Sequence, residues 1–150
     1  MAPGTPTPTR ALILCEDLGD RLGAQRAGEA LAAGLLEAGA PTPEICAVAG
    51  PAPAGARARE LLDGLGFDAT MRAARALILL LAVLEEQTLE GSLAFEAATR
   101  ARQAGVPCYA VTPANRLNAF DLRILDLQAV LEAGGTRGLR AAGRRLAAII

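Results

Sequence analysis

The composition of this chain excludes several classes of function. It has 150 residues, a formal net charge of −1, no histidine and no lysine, and all 15 of its cationic side chains are arginine. Histidine general bases, Schiff-base lysines and the lysine of a phosphate-binding P-loop are therefore excluded. The near-neutral charge and the few scattered aromatic residues argue against a nucleic-acid-binding surface.

The N-terminal residues MAPGTPTPT are rich in proline and threonine and lack the basic start and apolar run of a signal peptide. We therefore expect a flexible tail at 1–9, a single domain at 10–150 and a cytoplasmic location. The longest apolar run, Ala76 to Leu84, is less than half of the roughly twenty residues that a membrane span needs. We expect neither a membrane partner nor a nucleic-acid partner.

Apolar runs that alternate with segments of helical periodicity predict an α/β fold. In chain order, the sequence predicts a strand at 11–15, a helix at 22–38, a strand at 44–49, a Pro/Gly-rich loop at 49–58, a helix at 58–65, a helical turn near Met71, a strand at 76–84, a helix at 93–104, a strand at 107–111, a short helix after 120, a strand at 127–132 and a helix from 136 to the end. Such a pattern is typical of one doubly wound, mostly parallel sheet, Rossmann- or flavodoxin-like, and we expect the strand order 2-1-3-4-5. The run at 76–84 is apolar at every position, as in a central strand covered on both faces.

Cysteine and serine offer little reactive chemistry in this sequence. Cys15, Cys46 and Cys108 are odd in number and lack CxxC spacing, so we interpret them as small buried hydrophobic residues rather than as metal or redox sites. Without histidine or paired cysteines, a tetrahedral zinc site is excluded. Ser92 has no histidine or lysine to activate it, and we expect it to cap the helix that follows.

Carboxylates follow two of the predicted strands at the edge where ligands bind in such sheets. Glu16, Asp17 and Asp20 come after the first strand, and Glu85 and Glu86 come after the third. If these strands are neighbours, Glu16 and Glu85 converge and offer Mg²⁺ the oxygen ligands that it prefers. The same carboxylates also suit helix capping and loop solvation, and that alternative stays open.

Further polar residues end at the same edge. Thr112 and Asn115 follow the fourth strand and are candidate ligand-binding residues. The last helix carries Arg137, Arg140, Arg144 and Arg145, which form either a solvated face or a patch that binds phosphate or nucleic acid.

The segment LLDGLGFDATMRAARALILLLAVLEEQTLEGS, followed by RARQAGVPCYAV, resembles the glycerate kinase family, whose members phosphorylate glycerate from ATP. Family members have a GFD turn, a hydrophobic strand, a D-x-Q-[ST]-L-x-G-K segment, a helix and an AGVP strand start. Glu85, Gln87, Thr88, Leu89 and Gly91 fall on that segment. The resemblance adds Gln87 to the candidate ligand-binding residues.

The same resemblance implies a reduced site. In the family a large second domain occupies the place of the short PAPAGA loop, the loop lysine aligns with Gly19, and the lysine after Gly91 is Ser92. Such lysines balance the charge that develops in phosphoryl transfer. We expect a degenerate, non-catalytic domain that binds a small ligand or a protein and requires no cofactor. The alternative is a reduced glycerate kinase that uses the residual carboxylates with Mg²⁺ and ATP.

Two expectations concern partners. Leu79, Leu80 and Leu81 stand where the family has a polar, glycine-rich turn, and an exposed apolar patch there predicts a homodimer. The alternative is that these leucines form the covered end of a central strand. We also expect a small anionic metabolite as a ligand.

Overall fold

A computed structural model describes residues 9–150, so the predicted tail, apart from Thr9, lies outside the described residues. The strands are β1 (Leu12–Glu16), β2 (Glu44–Val48), β3 (Leu77–Leu80), β4 (Cys108–Thr112) and β5 (Leu127–Glu132). The helices are α1 (Ala24–Glu37), α2 (Ala56–Gly64), α3 (Phe67–Arg72), α4 (Leu93–Ala104), α5 (Ala119–Leu125) and α6 (Gly135–Ala147), and a 3₁₀ turn spans Glu86–Leu89. Each predicted strand and helix is present, with ends that differ by a few residues.

The five strands form one parallel sheet in the order β2-β1-β3-β4-β5, which confirms the predicted doubly wound fold and its strand order. From β1 the chain crosses to β2 on one side and then returns over β1 to β3 on the other. The strand order therefore reverses between β1 and β3. None of the helices in the part of the chain that the structure describes has the length and apolar content of a membrane span.

Alternate residues of each strand point to opposite faces of the sheet, and each face has its own core. The core on the face that α2 to α5 cover includes Leu12, Leu14 and Leu79. Ile13 and Ile78 pack with the side covered by α1 and α6. Because both faces are covered, every residue of β3 is buried, which accounts for its unbroken apolar sequence.

Helices α1 and α6 touch through glycines. A Cβ atom on Gly34 would overlap the Arg140 carbonyl oxygen, and one on Gly143 would overlap the Leu31 carbonyl oxygen. The absence of side chains at these two positions lets the helix backbones meet directly. This close crossing holds α6 against α1 on one face of the sheet.

Arginine 100 joins three helices on the other face. The Arg100 side chain is only 12% exposed, and its guanidinium pairs with Asp63 of α2 at 2.8 Å, Asp68 of α3 at 3.1 Å and Glu96 of α4 at 3.1 Å. This network ties the segment between β2 and β3 to the helix that follows the candidate site.

The predicted third strand is shorter than expected, and its leucines are not exposed. Regular pairing of β3 ends at Leu80, and beyond it an isolated parallel bridge joins Leu84 to Asn115. Leu79, Leu80 and Leu81 are 1%, 0% and 3% exposed. The apolar patch expected from these leucines is therefore absent, because the helices and strands of the same chain cover them. The homodimer stays a prediction that must rest on another surface.

Candidate functional site

A cavity of about 380 Å³ lies at the carboxyl ends of β1 and β3, where the strand order reverses. Its apolar wall includes Leu81 and Val83, the residues between the end of β3 and the Leu84 bridge. These residues lie beyond the end of β3, and the Leu81 N–H still donates to the Val111 carbonyl of β4 at 3.2 Å. Its polar lining consists of Glu16, Glu85, Gln87, Thr88, Glu90 and Ser92.

Glu16 is the last residue of β1 and the most distinctive group in the cavity. It is half-buried, and burial raises the pKa of its carboxyl to about 7. No residue within 9–150 donates a hydrogen bond to this carboxyl or forms an ion pair with it, so nothing offsets the cost of its ionisation. Glu16 is therefore a carboxyl that exchanges its proton near neutral pH, next to open space.

Glu85 begins the opposite wall. Its backbone N–H donates to the Thr88 hydroxyl at 3.1 Å, and its carboxylate pairs with the exposed Arg116 guanidinium at 3.6 Å. The ion pair is open to solvent, so it contributes little to stability. The Glu85 carboxylate is therefore held at the rim of the cavity, where a ligand can compete for it.

The hydroxyls in the cavity wall have structural partners. Ser92 accepts a hydrogen bond from the Phe95 N–H at 3.0 Å and donates to the Thr88 carbonyl at 2.6 Å. The predicted role of Ser92 as the cap of α4 is confirmed. Ser92 and Thr88 thus fix the shape of the wall. Its other polar groups come from Glu16, Gln87 and Glu90 and, at the rim, from Glu85, whose carboxylate is paired with Arg116.

A short segment after β2 closes one side of the cavity. Ala52 and Ala54 line it, Ala54 forms an antiparallel bridge with Ser92, and the Gly55 N–H donates to the Gly91 carbonyl at 2.8 Å. Gly55 and Gly91 both have positive φ angles, 59° and 77°, which side-chain-bearing residues rarely adopt. Residues 50–55 of the predicted Pro/Gly-rich loop therefore follow a defined path along one side of the cavity, and we call this segment the strap.

Of the carboxylates predicted after β1, only Glu16 lines the cavity. Asp17 accepts hydrogen bonds from the Ala24 N–H at the start of α1 and from the Gly50 N–H, each at 2.8 Å. Its carboxylate thus caps α1 and holds the strap, as the capping alternative anticipated. Asp20 is exposed in the loop and is not part of the cavity lining.

The remaining predicted residues also lie outside the cavity lining. Glu86 is exposed on the 3₁₀ turn. The buried Thr112 hydroxyl accepts from the Ala114 N–H at 3.3 Å, and the Asn115 side chain accepts from the Leu117 N–H at 3.2 Å. Both bonds are local turns that shape the chain after β4.

The arginines of α6 form a solvated face, and two of them share one internal partner, Glu37. Arg140 and Arg144 pair with the Glu37 carboxylate of α1, and these ion pairs hold the pKa of Glu37 below its ordinary value. Arg137 and Arg145 are exposed. The cluster lies on the α1–α6 side of the molecule and contributes nothing to the cavity lining.

Metal-binding chemistry rests on two carboxylates. Within residues 9–150, no group of three or more His, Cys, Asp or Glu side chains is placed to hold a metal ion. Glu16 and Glu85 do line the same cavity, and their oxygens are of the kind that Mg²⁺ prefers. A site made by these two residues would need water or a bound ligand for its other positions, and it stays a prediction.

Sequence reasoning missed Glu90 and the strap. Glu90 follows the 3₁₀ turn, and no spacing in the sequence distinguishes it from an ordinary solvent-exposed glutamate. The strap is a Pro/Gly-rich stretch whose ordered path depends on hydrogen bonds to Asp17 and Gly91. Neither contact has a local sequence signal.

No protein-family model and no curated protein matches this chain. Among solved structures, it is similar to a protein proposed to be glycerate kinase 2 from Salmonella typhimurium LT2, with 18% identity, a TM-score of 0.45, and coverage of 60% of this chain and 25% of that one. It is also similar to a protein proposed to be related to pilus assembly from Burkholderia pseudomallei K96243, with 21% identity, a TM-score of 0.49, and coverage of 99% of this chain and 96% of that one. The match thus spans a quarter of the first protein and nearly all of the second. Both likenesses are distant, and neither assigns this chain to a family or an activity.

Proposed function

We propose that this chain is a small-ligand-binding module without phosphotransfer activity of its own, and that its ligand binds in the cavity at the carboxyl ends of β1 and β3. The observation that supports this most directly is Glu16, a half-buried carboxyl without an internal partner at the point where the strand order reverses. In parallel α/β sheets, ligands bind at such a point.

The free-energy cost of ionising the partly buried Glu16 favours a role in ligand binding over a role in the fold alone. Partial burial disfavours the ionised form of Glu16, because no donor within residues 9–150 hydrogen-bonds its carboxylate, whose oxygens still reach water. Asp17, the next residue, illustrates the structural case, since both of its oxygens accept backbone N–H groups. A ligand that donates to Glu16 would recover part of the cost of its burial.

The lining favours a particular ligand chemistry. The charged side chains that line the cavity, Glu16, Glu85 and Glu90, are all acidic, and no basic side chain of residues 9–150 belongs to the lining. A ligand with an ammonium group, a divalent cation or several hydrogen-bond donors suits these groups better than the anionic metabolite expected from the sequence. The anionic metabolite stays a prediction that the same binding experiment tests.

The alternative of a reduced glycerate kinase finds less support in these contacts. ATP carries several negative charges that a kinase site must balance with cationic side chains and Mg²⁺. Here Arg116 is at the rim, already paired with Glu85 and exposed to solvent. Mg²⁺ held by Glu16 and Glu85 would have to balance the phosphates almost alone.

A binding experiment with matched variants tests the proposal. Thermal unfolding of the wild type is measured with ethanolamine, MgCl₂, ATP and glycerate, singly and together, because a ligand of the folded state raises the midpoint. We expect ethanolamine or MgCl₂ to raise it, Glu16→Gln to abolish that rise, and Asp20→Asn, which removes an exposed carboxylate of the same loop, to keep it.

Two outcomes would contradict the proposal. One is a rise that is the same in Glu16→Gln as in the wild type, or no rise with any of the four compounds. The other is formation of ADP from ATP and glycerate above a no-protein control, lost in Glu85→Ala, which would support the kinase alternative instead.

A further inference from the structure

A second cavity lies between α1 and α6, apart from the cavity that Glu16 lines. Its volume is about 550 Å³, and none of its lining residues belongs to the first cavity. Helix α1 contributes Arg26, Glu29, Ala30 and Ala33 to the lining, and α6 contributes Thr136, Arg137 and Arg140. We call this cavity the arginine groove, because arginines from two different helices line it.

Helical spacing aligns two rows of side chains along the groove. On α6, Arg137, Arg140 and Arg144 recur at intervals of three and four residues, so they lie on one helix face. On α1, Arg26 and Glu37 are eleven residues apart, which is about three helical turns, so they also share a face. The ion pairs of Glu37 with Arg140 and Arg144 show that these two faces meet.

The two ends of the groove differ in how the arginines are paired. Toward the C-terminus of α1, the Glu37 carboxylate accepts hydrogen bonds from both Arg140 and Arg144, one at each oxygen. Toward the N-terminus of α1, the groove is lined by Arg26 from one helix and Arg137 from the other. Neither Arg26 nor Arg137 forms an ion pair within residues 9–150. A carboxylate of the chain thus joins the two rows at one end, whereas the described residues leave two like charges at the other.

Glu29 also lines the groove, and it does not supply the missing carboxylate. It accepts a hydrogen bond from the Gln25 amide at 3.0 Å and pairs with no arginine of the described chain. No acidic residue lies in the first turn of α6, and no side chain caps that helix. Along the groove, four arginines therefore face two glutamates, an excess of two positive charges in a chain whose formal net charge is −1.

We infer that the arginine groove binds a small dianion, of the phosphate monoester class, between Arg26 and Arg137. A dianion matches the excess of two positive charges, and each planar guanidinium can donate two N–H groups to phosphate oxygens. The Thr136 hydroxyl also lines the groove and offers a further donor. The phosphate group then joins the two helices at this end of the groove, as the Glu37 carboxylate joins them at the other.

The exposure and size of the groove indicate a small ligand that binds weakly. Arg26, Thr136 and Arg137 are exposed, so an ion reaches them from solvent, and water and salt screen its charge. No aromatic side chain of residues 9–150 belongs to the lining, and single-stranded nucleic acids usually stack on such side chains. Two unpaired arginines suit one phosphate group, whereas a nucleic acid is held by a series of phosphate contacts.

Titration with phosphate at low ionic strength tests this inference. Inorganic phosphate and glycerol 3-phosphate are added separately to the ¹⁵N-labelled full chain, and proton–nitrogen NMR follows the backbone amides and the arginine Nε–H groups. We expect saturable shifts of the Thr136 and Arg137 amides and of the Arg26 and Arg137 Nε–H signals. The dissociation constant should rise at least fivefold when about 200 mM NaCl is added. Glycerol, which has no phosphate group, is expected to cause no saturable shift.

Matched variants separate the groove from positive charge in general. Arg26→Gln and Arg137→Gln are each expected to raise the dissociation constant at least fivefold. Arg145→Gln removes an exposed arginine of the same helix that does not line the groove, and it should change the constant less than twofold. Glu16→Gln should also leave the constant unchanged, because the two cavities share no residue. Circular dichroism checks that each variant is folded.

Three results would overturn the inference. The first is the absence of saturable shifts at phosphate concentrations up to about 20 mM, well above the millimolar range of a weak site. The second is an effect of Arg145→Gln as large as those of Arg26→Gln and Arg137→Gln. The third is an oligothymidine that binds more tightly than glycerol 3-phosphate and is weakened by the same two variants, since that result assigns these arginines to nucleic acid.

Discussion

The replacement of Glu16 by glutamine is expected to change how stability depends on pH. Burial raises the pKa of Glu16 to about 7 in the folded chain, whereas the ordinary value is 4.5. Between these two pH values the folded state keeps the proton and the unfolded state has released it. The Glu16 contribution to the free energy of unfolding is therefore fully present below about pH 4.5 and is lost as the pH rises to about 7.

The size of the effect follows from the two pKa values. At about 1.4 kcal/mol per pKa unit, their difference corresponds to about 3.5 kcal/mol. The Glu16 side chain is only partly shielded from water, and solvent screening reduces this to about 1.5 kcal/mol. Glutamine carries no titratable proton, so Glu16→Gln should match the wild type near pH 4.5 and exceed its stability by about 1.5 kcal/mol at pH 8.

Urea unfolding followed by circular dichroism at a series of pH values measures this difference. Asp20→Asn is the control, because Asp20 is exposed and its replacement should give a difference that changes little with pH. A direct titration of the Glu16 carboxyl by carbon NMR gives its pKa independently. A difference between wild type and Glu16→Gln that is constant from pH 4.5 to 8, or a Glu16 pKa near 4.5, would refute the reasoning.

Three further predictions concern helix packing, the arginine network and catalysis. Gly143→Ala should lower the free energy of unfolding by about 3 kcal/mol, because its methyl group meets the α1 backbone. Gly138→Ala in the same helix should be neutral or raise this free energy by up to about 1 kcal/mol. Equal effects of the two substitutions in urea unfolding would refute the close crossing of α1 and α6. Arg100→Met should lower the free energy of unfolding by about 1 to 2 kcal/mol, and by less at high salt. Replacement of the exposed Arg102 by methionine should lower it by less than about 0.5 kcal/mol. An effect of Arg100→Met no larger than that of Arg102→Met would contradict the network. Coupled detection of ADP should show no phosphate transfer from ATP to glycerate, and turnover lost in Glu85→Ala would overturn that expectation.

Much of the fold could be predicted because its determinants are local or topological. The apolar runs gave the strands, helical periodicity gave the helices, and the preference for right-handed crossovers favours this strand order. The end of β3 could not be predicted, because Leu81 and Leu84 remain buried after regular pairing stops at Leu80. An apolar run in the sequence predicts which residues are buried, but it does not predict which of them pair in the sheet.

The candidate site was predicted only in outline for a related reason. The rule that ligands bind at the carboxyl ends of strands led to Glu16 and Glu85, and the family resemblance added Gln87; these three residues line one cavity, and their role in binding stays a prediction. It could not separate Glu16 from Asp17, since both are acidic and adjacent in sequence. Their roles differ because Asp17 reaches the N–H groups of Ala24 and Gly50, and Glu16 reaches no donor within residues 9–150.

The strap is held by the structural residue Asp17 and lines the same cavity as Glu16. Asp17 holds the strap at Gly50, and the hydrogen bond from Gly55 to Gly91 holds it at the opposite wall, so Ala52 and Ala54 lie across the space next to Glu16. One carboxylate contact and one backbone hydrogen bond thus hold the strap along one side of the cavity. The proposal of binding without phosphoryl transfer rests on the lining of this cavity, which offers carboxylates and no basic side chain of residues 9–150 to balance a triphosphate.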